Sequence, residues 1–226
     1  MPKSRWHLFD DPQSVAHAAA WRIAMAADRA IRLRGSFSVV LAGGSTPEST
    51  YCLLADIETD WTKWHIYFGD ERCLPVDDTA RNSVMAANAW LERVPLPAAN
   101  VHPIPAELGA ETGASAYSML ISDALPFDMV LLGIGEDGHT ASLFPGRMHP
   151  DSELAHAVHD APKPPPDRVS LSRKALSECR ELLILVTGAG KQPAVSRWKR
   201  GEDLPIAAIG AHDAVDILLD KRAAGA

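Results

Sequence analysis

Four short apolar runs constrain what this chain can become: FSVVLA (37–42), WHIYF (64–68), FDMVLL (127–132) and ELLILV (181–186). Each is rich in Val, Ile, Leu or aromatic residues, without clear alternation of apolar and polar positions. A strand with one face in water alternates with a period of two, whereas an unbroken apolar run of this length marks a strand covered on both faces. Between the runs lie Ala-rich stretches, STYCLLADI, SVMAANAWLERV and ETGASAYSMLISDAL, which read as helices. Strand and helix alternate, which predicts an α/β fold: an open, mostly parallel, doubly wound sheet with helices on both faces. AVDILLD (214–220) adds a late strand. Ahead of the first strand, Asp11-Pro12 has the form of a helix start and Gly35 that of a stop, bracketing an Ala-rich helix that reaches Arg34.

The proline cluster APKPPPDR (161–168) could join two domains. It reads instead as a surface loop, because the strand pattern resumes at once and no repeat or compositional shift separates the halves. The expectation is a single domain over residues 1–226. The formal net charge of −7 argues against a nucleic-acid partner, so an anionic ligand would need a local cluster of cations and backbone N–H groups. Cys52, Cys73 and Cys179 form no C-x-x-C pair, which fits a reducing compartment. The leading MPKSRWHLFDD carries charges where a secretory signal needs an apolar core, and no apolar run approaches the roughly 20 residues of a membrane span. A cytoplasmic protein is expected.

Each apolar run ends in an unusual loop: AGGSTP, GDER, GIGEDGH and TGAGK. Ligands of open α/β sheets bind outside the carboxyl ends of the strands, so four polar loops in the same relative position can converge on one cleft. In the first loop, Gly43 and Gly44 allow close backbone approach, and Ser45 and Thr46 open a helix whose N–H groups suit an anion. Ser45 with Glu48 three residues on also fits a capping box, compatible with anion binding. In the second, Asp70 and Glu71 beside Arg72 could support acid–base work or contact an oxyanion or phosphate; a solvated charged turn is the plainer reading. Asn82 is either a polar ligand contact or a helix cap.

The third loop fits G-x-G-x-x-G, the dinucleotide spacing, but Pro145-Gly146 cuts off any helix after at most about two turns and no second strand precedes Asp160. Its weight falls instead on His139, a natural base near neutral pH, with Asp137 two residues before it. His149, His156 and His159 have a metal-like spacing but no acidic or cysteine ligand in register, so no metal is expected. The fourth loop lacks the first part of a P-loop and has Gln192 where the hydroxyl residue belongs; Lys191 at a helix N-terminus suits a monophosphate rather than ATP.

AGGSTP, FGDERCLP, GIGEDGHTASLFPG and VTGAGK, in this order, resemble the 6-phosphogluconolactonase family, and the resemblance spans nearly the whole chain. The glucosamine-6-phosphate deaminases are similar in fold and share the first and third loops. They carry Asn-Glu-Pro where this chain has Leu143-Phe144-Pro145, and Asp-Glu-Tyr where it has Asp-Glu-Arg. Deaminase or isomerase chemistry is therefore the alternative. Arg81-Asn82 and Pro205-Ile206-Ala207 depart from the family's pattern at peripheral positions, while Arg168-Val169-Ser170-Leu171-Ser172 keeps it.

The resemblance implies hydrolysis of 6-phosphogluconolactone to 6-phosphogluconate in the oxidative pentose phosphate pathway, without metal or organic cofactor. His139 would act as base, held by Asp137 or Glu71. Arg72, Arg168, Lys191 and the N–H groups from Gly43 to Thr46 would meet the phosphate and the oxyanion. Oligomeric state, from monomer to small homo-oligomer, is left open.

Overall fold

The computed structural model describes residues 4–226. In chain order the elements are β1 (Ser4–Phe9), α1 (Pro12–Arg34), β2 (Phe37–Leu41), α2 (Ser45–Leu54), β3 (Trp64–Phe68), β4 (Asp70–Arg72), α3 (Asn82–Ala89), α4 (Ala110–Ile121), β5 (Phe127–Gly133), β6 (Ala155–Val158), β7 (Arg168–Leu171), α5 (Arg173–Ser177), β8 (Cys179–Val186), α6 (Gln192–Lys199), β9 (Ala214–Asp220) and α7 (Lys221–Ala224). Six strands form a sheet in the order β1-β9-β8-β5-β2-β3, with every pairing parallel. The four apolar runs are its interior and one edge, buried along nearly their whole length as their lack of alternation predicts.

Two features differ from the sequence expectation. β1 joins the sheet edge beside β9, although SRWHLF is half polar; an edge strand needs only one apolar flank. A separate three-stranded antiparallel sheet, β4-β7-β6, stands beyond the end of β3. The Asp-Glu-Arg triplet, expected in a loop, is its strand β4, with Arg72 opposite Arg168.

The helix boundaries follow local chemistry. Asp11 caps α1 by accepting from Ser14 N at 2.7 Å, and Gly35 ends it at φ 85°. The capping box expected at Ser45 is absent. Gly44 occupies the cap at φ 106°, no side chain caps the helix, and Ser45 is its first residue. A Cβ is disfavoured at that φ, which is why glycine stands there. Tyr51, fully buried on α2, both accepts from Ala42 N (3.0 Å) and donates to Ala42 O (2.9 Å). It thereby fixes the chain where β2 hands over to its loop. Trp61, Trp64 and Trp90 pack with Tyr51 and Phe37 at centroid distances of 4.8–5.9 Å beside the starts of β2 and β3.

The strand order places a switch point between β2 and β5. From β2 the chain moves outward to β3, then crosses back to β5 and proceeds the other way to β8 and β9. A crevice opens at the carboxyl ends of the two strands flanking such a point. The loops following β2 and β5 are AGGSTP and GIGEDGH.

Candidate active site

A cleft of about 330 Å³ lies at this switch point. The loops after β2, β3, β5 and β8 all reach it, through Gly43 and Gly44, Asp70 and Arg72, Gly135 and His139, and Lys191. Asn82, Arg168 and Lys163 complete its polar wall.

The GIGEDGH loop closes on itself. Gly135 N donates to His139 O at 2.7 Å, and Gly138, at φ +94°, donates to Gly135 O at 3.0 Å. Thr140 Oγ1 donates to Gly133 O at 2.8 Å. No helix starts in residues 134–146, so no dipole end faces the place a pyrophosphate would take. The glycines have another cause. A Cβ on Gly135 would stand 2.1 Å from His139 Nδ1 and 2.6 Å from Asp137 Oδ1; Gly135 is bare so that this pair can form.

Within the pair, His139 Nδ1 donates to Asp137 Oδ1 at 2.5 Å. Burial pushes the imidazole below its ordinary value, and Asp137 and Asp70 pull against that. Burial also opposes ionisation of Asp137, but the charge and hydrogen bonds of His139 outweigh it and hold the carboxyl below its usual range. The result at neutral pH is a neutral imidazole beside a carboxylate. Asp137 fixes the tautomer with the proton on Nδ1, leaving Nε2 as the basic nitrogen at the cleft. Phe144 packs its ring 5.0 Å from the imidazole.

Asp70 and Glu71, paired by sequence, separate in space. Asp70 lines the cleft and accepts from Ser142 Oγ (2.6 Å) and Asn82 Nδ2 (3.0 Å). Glu71 is fully buried and does not reach His139; its carboxylate accepts from Arg72 N (2.9 Å), Asn82 N (2.7 Å) and Ser83 N (2.8 Å) beside Arg81. A catalytic role for Glu71 is therefore corrected: it ties β4 to the N-terminus of α3, because adjacent strand residues point to opposite faces. Of the two sequence readings for Asn82, the cap is not realised: Arg81 takes the cap position and Asn82 is the first residue of α3, while its amide donates to Asp70 at the cleft wall. Gly43 is bare because a Cβ there would meet Asn82 Oδ1 at 2.1 Å.

The cations also sort themselves. Arg72 donates from Nη1 to Ala80 O and lines the cleft. Lys191 precedes α6; burial lowers its pKa, opposed chiefly by Glu136. Arg168 lines the cleft, but its Nε donates to Pro165 O (3.1 Å) and its Nη2 to Lys163 O (2.8 Å) and Pro164 O (3.2 Å). Ser45 and Thr46 are not part of the cleft wall; they line an adjoining cavity, where Thr46 Oγ1 meets Thr187 Oγ1 at 2.6 Å. Lys163, on the cleft wall, has a weak sequence signal: in APKPPPDR the prolines mark a loop, and only the lysine five residues before Arg168 points to the cleft. The spaced histidines diverge: His149 and His156 contact each other at 3.3 Å, while His159 pairs with Asp167 and Glu111. Among the described residues, no group of three or more His, Cys, Asp or Glu could hold a metal ion.

A parallel sheet with a cationic switch-point cleft around a His–Asp pair defines an α/β protein built for an anionic small molecule. The chain belongs to the family of glucosamine-6-phosphate isomerases and 6-phosphogluconolactonases, which matches residues 10–218. It is similar to 6-phosphogluconolactonase of Mycobacterium leprae (strain TN), at 36% identity covering 96% of each chain. The 6-phosphogluconolactonase of Mycobacterium tuberculosis (strain ATCC 25618 / H37Rv) is 35% identical over the same shares. Among solved structures, the 6-phosphogluconolactonase of Trypanosoma brucei superposes with a TM-score of 0.86 at 29% identity, covering all of this chain and 98% of the other. A monomeric glucosamine-6-phosphate deaminase superposes with a TM-score of 0.87 at 20% identity, a likeness of fold alone.

Proposed function

We propose that this chain hydrolyses 6-phosphoglucono-1,5-lactone to 6-phosphogluconate, the lactone-opening step of the oxidative pentose phosphate pathway. One observation carries the reading: a half-buried neutral His139, oriented by Asp137, faces a cleft lined by Arg72, Lys163, Arg168 and Lys191 in a chain of net charge −7. A cationic cleft in an acidic protein suits a phosphorylated substrate. The 6-phosphogluconolactonases that it resembles over nearly their whole length support the same assignment.

A lactone is an activated ester, so a positioned water, a base and charge stabilisation are sufficient. His139 Nε2 takes a proton from water as the water oxygen bonds to the carbonyl carbon. The carbonyl becomes an oxyanion beside the cleft's cations and the backbone N–H groups of Gly43 and Gly44. When the tetrahedral adduct collapses, the bond to the ring oxygen breaks and the imidazolium returns its proton to that oxygen. Asp137 holds the tautomer throughout and stabilises the imidazolium. Asp70, anchored by Ser142 and Asn82, adds negative charge that favours the His139 imidazolium.

The same reading takes residues 1–226 as a single domain, supported by one continuous core. It works in the cytoplasm on a small phosphosugar lactone, as a monomer or small homo-oligomer, and needs no metal, organic cofactor or nucleic acid. The unpaired cysteines fit that compartment, and no helix among the described residues is long and apolar enough to cross a membrane.

The test uses lactone generated in situ, with the spontaneous opening rate measured and subtracted. Acceleration over background, with no ammonia released from glucosamine 6-phosphate, is the expected result. Ammonia release without lactone hydrolysis would assign the chain to the deaminase branch instead.

A further inference from the structure

The segment 161–167, between β6 and β7, places Lys163 and Pro164 on the cleft wall, and it is tied down at several points. Ala161 N donates to Pro166 O (2.9 Å), closing the loop on itself, and Cys73 N donates to Asp167 O (3.1 Å), fastening its far end to the residue after β4. The main tether is Arg168. This guanidinium is buried, rests over the Phe144 ring at 5.8 Å, and aims two of its nitrogens at the three successive carbonyls of Lys163, Pro164 and Pro165. Prolines at 162, 164, 165 and 166 remove backbone N–H groups and restrict φ, so few conformations compete with the tethered one. Lys163 is the residue this arrangement presents: it is exposed and lines the cleft together with His139 and Lys191.

Resting on the phosphosugar reading above, we propose that Lys163 is a phosphate-recognition residue of the substrate site, and that Arg168 is the positioning residue that holds its strap in place rather than a substrate ligand. An arginine whose fork already grips three carbonyls has little geometry left for a bidentate phosphate contact. A lysine on a restrained loop loses less freedom on binding than one on a mobile loop, so the tether strengthens the contact. The charge of Lys163 also opposes protonation of Lys191 in the same cleft, and an anion bound between them would relieve it.

Binding of 6-phosphogluconate and of unphosphorylated gluconate, followed by titration calorimetry, tests this without depending on turnover. Lys163→Met should weaken 6-phosphogluconate binding by roughly 10- to 100-fold, the range for a hydrogen bond to a charged group, and leave gluconate binding unchanged. KM for the lactone should rise in parallel while kcat changes little. Arg168→Gln should reproduce that KM rise, and the double variant should be no worse than either single one, because both changes remove the same contact. Lys163→Arg should restore much of the affinity. If Lys163→Met binds 6-phosphogluconate as the wild type does, the assignment of Lys163 is wrong. If the two effects multiply in the double variant, Arg168 binds substrate in its own right. Should Arg168→Gln not fold, Arg168→Lys makes the same comparison. A wild-type protein that binds 6-phosphogluconate but does not hydrolyse the lactone would overturn the proposed function while leaving the Lys163 comparison decisive.

Discussion

Gly135→Ala isolates the His139–Asp137 pair without altering any group that meets substrate. The added Cβ would stand 2.1 Å from His139 Nδ1 and 2.2 Å from Cε1, about 1.3 Å short of ordinary van der Waals contact at 3.4 Å. Gly135 is buried at the foot of the loop, so the methyl cannot turn outward; the imidazole and the Asp137 carboxylate must move instead. Gly135 does not have a positive φ, so alanine brings no backbone strain of its own. Displacing a general base by about 1 Å costs on the order of 100-fold in rate, or about 2.7 kcal/mol of barrier. The assay is lactone hydrolysis with the spontaneous rate subtracted, alongside a thermal melt. The expected outcome is a kcat lower by about 100-fold, a KM near wild type, and a midpoint shifted by only a few degrees, since the displaced side chains are part of the cleft wall rather than the core. A variant that folds normally and keeps wild-type kcat would mean that the chemistry does not need this placement of His139, and the mechanism would fail.

Asp137→Asn should lower kcat by about 10²- to 10⁴-fold, because the amide no longer enforces the Nδ1–H tautomer. The acid limb of the pH–rate profile reports loss of a proton from His139. Burial puts that limb below the ordinary histidine value in the wild type; removing Asp137, which favours the imidazolium, should move it to still lower pH. A limb that stays put under this substitution would belong to another group. Glu71→Gln should act on stability: its buried carboxylate accepts three backbone N–H groups and faces Arg81, so urea denaturation should show a loss of about 3 kcal/mol with little change in KM. An unchanged denaturation midpoint together with a collapsed kcat would return Glu71 to the reacting groups.

Local signals in the sequence carried far, and non-local pairings limited them. The runs that became β2, β3, β5, β8 and β9 announced themselves because strands buried on both faces need uninterrupted apolar side chains. Asp137 and His139 were legible as a pair because two residues of loop bring them together. β1 was hidden because its partner β9 lies some two hundred residues away and an edge strand tolerates Arg5 and His7. β4 was hidden for a similar reason: its pairing with β7 is long-range, and Asp-Glu-Arg has the composition of a turn. That pairing decides which carboxylate faces the cleft, so the separate fates of Asp70 and Glu71 could not be read before the strand was seen. The same holds for Arg168, where the side chain was visible in the sequence but its carbonyl partners at Lys163, Pro164 and Pro165 were not. Ser45 shows a local rule giving way: the capping-box pattern was present, yet glycine at the preceding position took the cap.

The central claim is that His139 activates water in a cleft that binds the phosphosugar by other residues. Single-turnover hydrolysis of 6-phosphogluconolactone by His139→Asn, with 6-phosphogluconate affinity measured on the same preparation, tests it most directly. The account predicts a catalysed rate lowered by about 10²- to 10⁴-fold with affinity retained. Hydrolysis at the wild-type rate by a folded His139→Asn protein would contradict it.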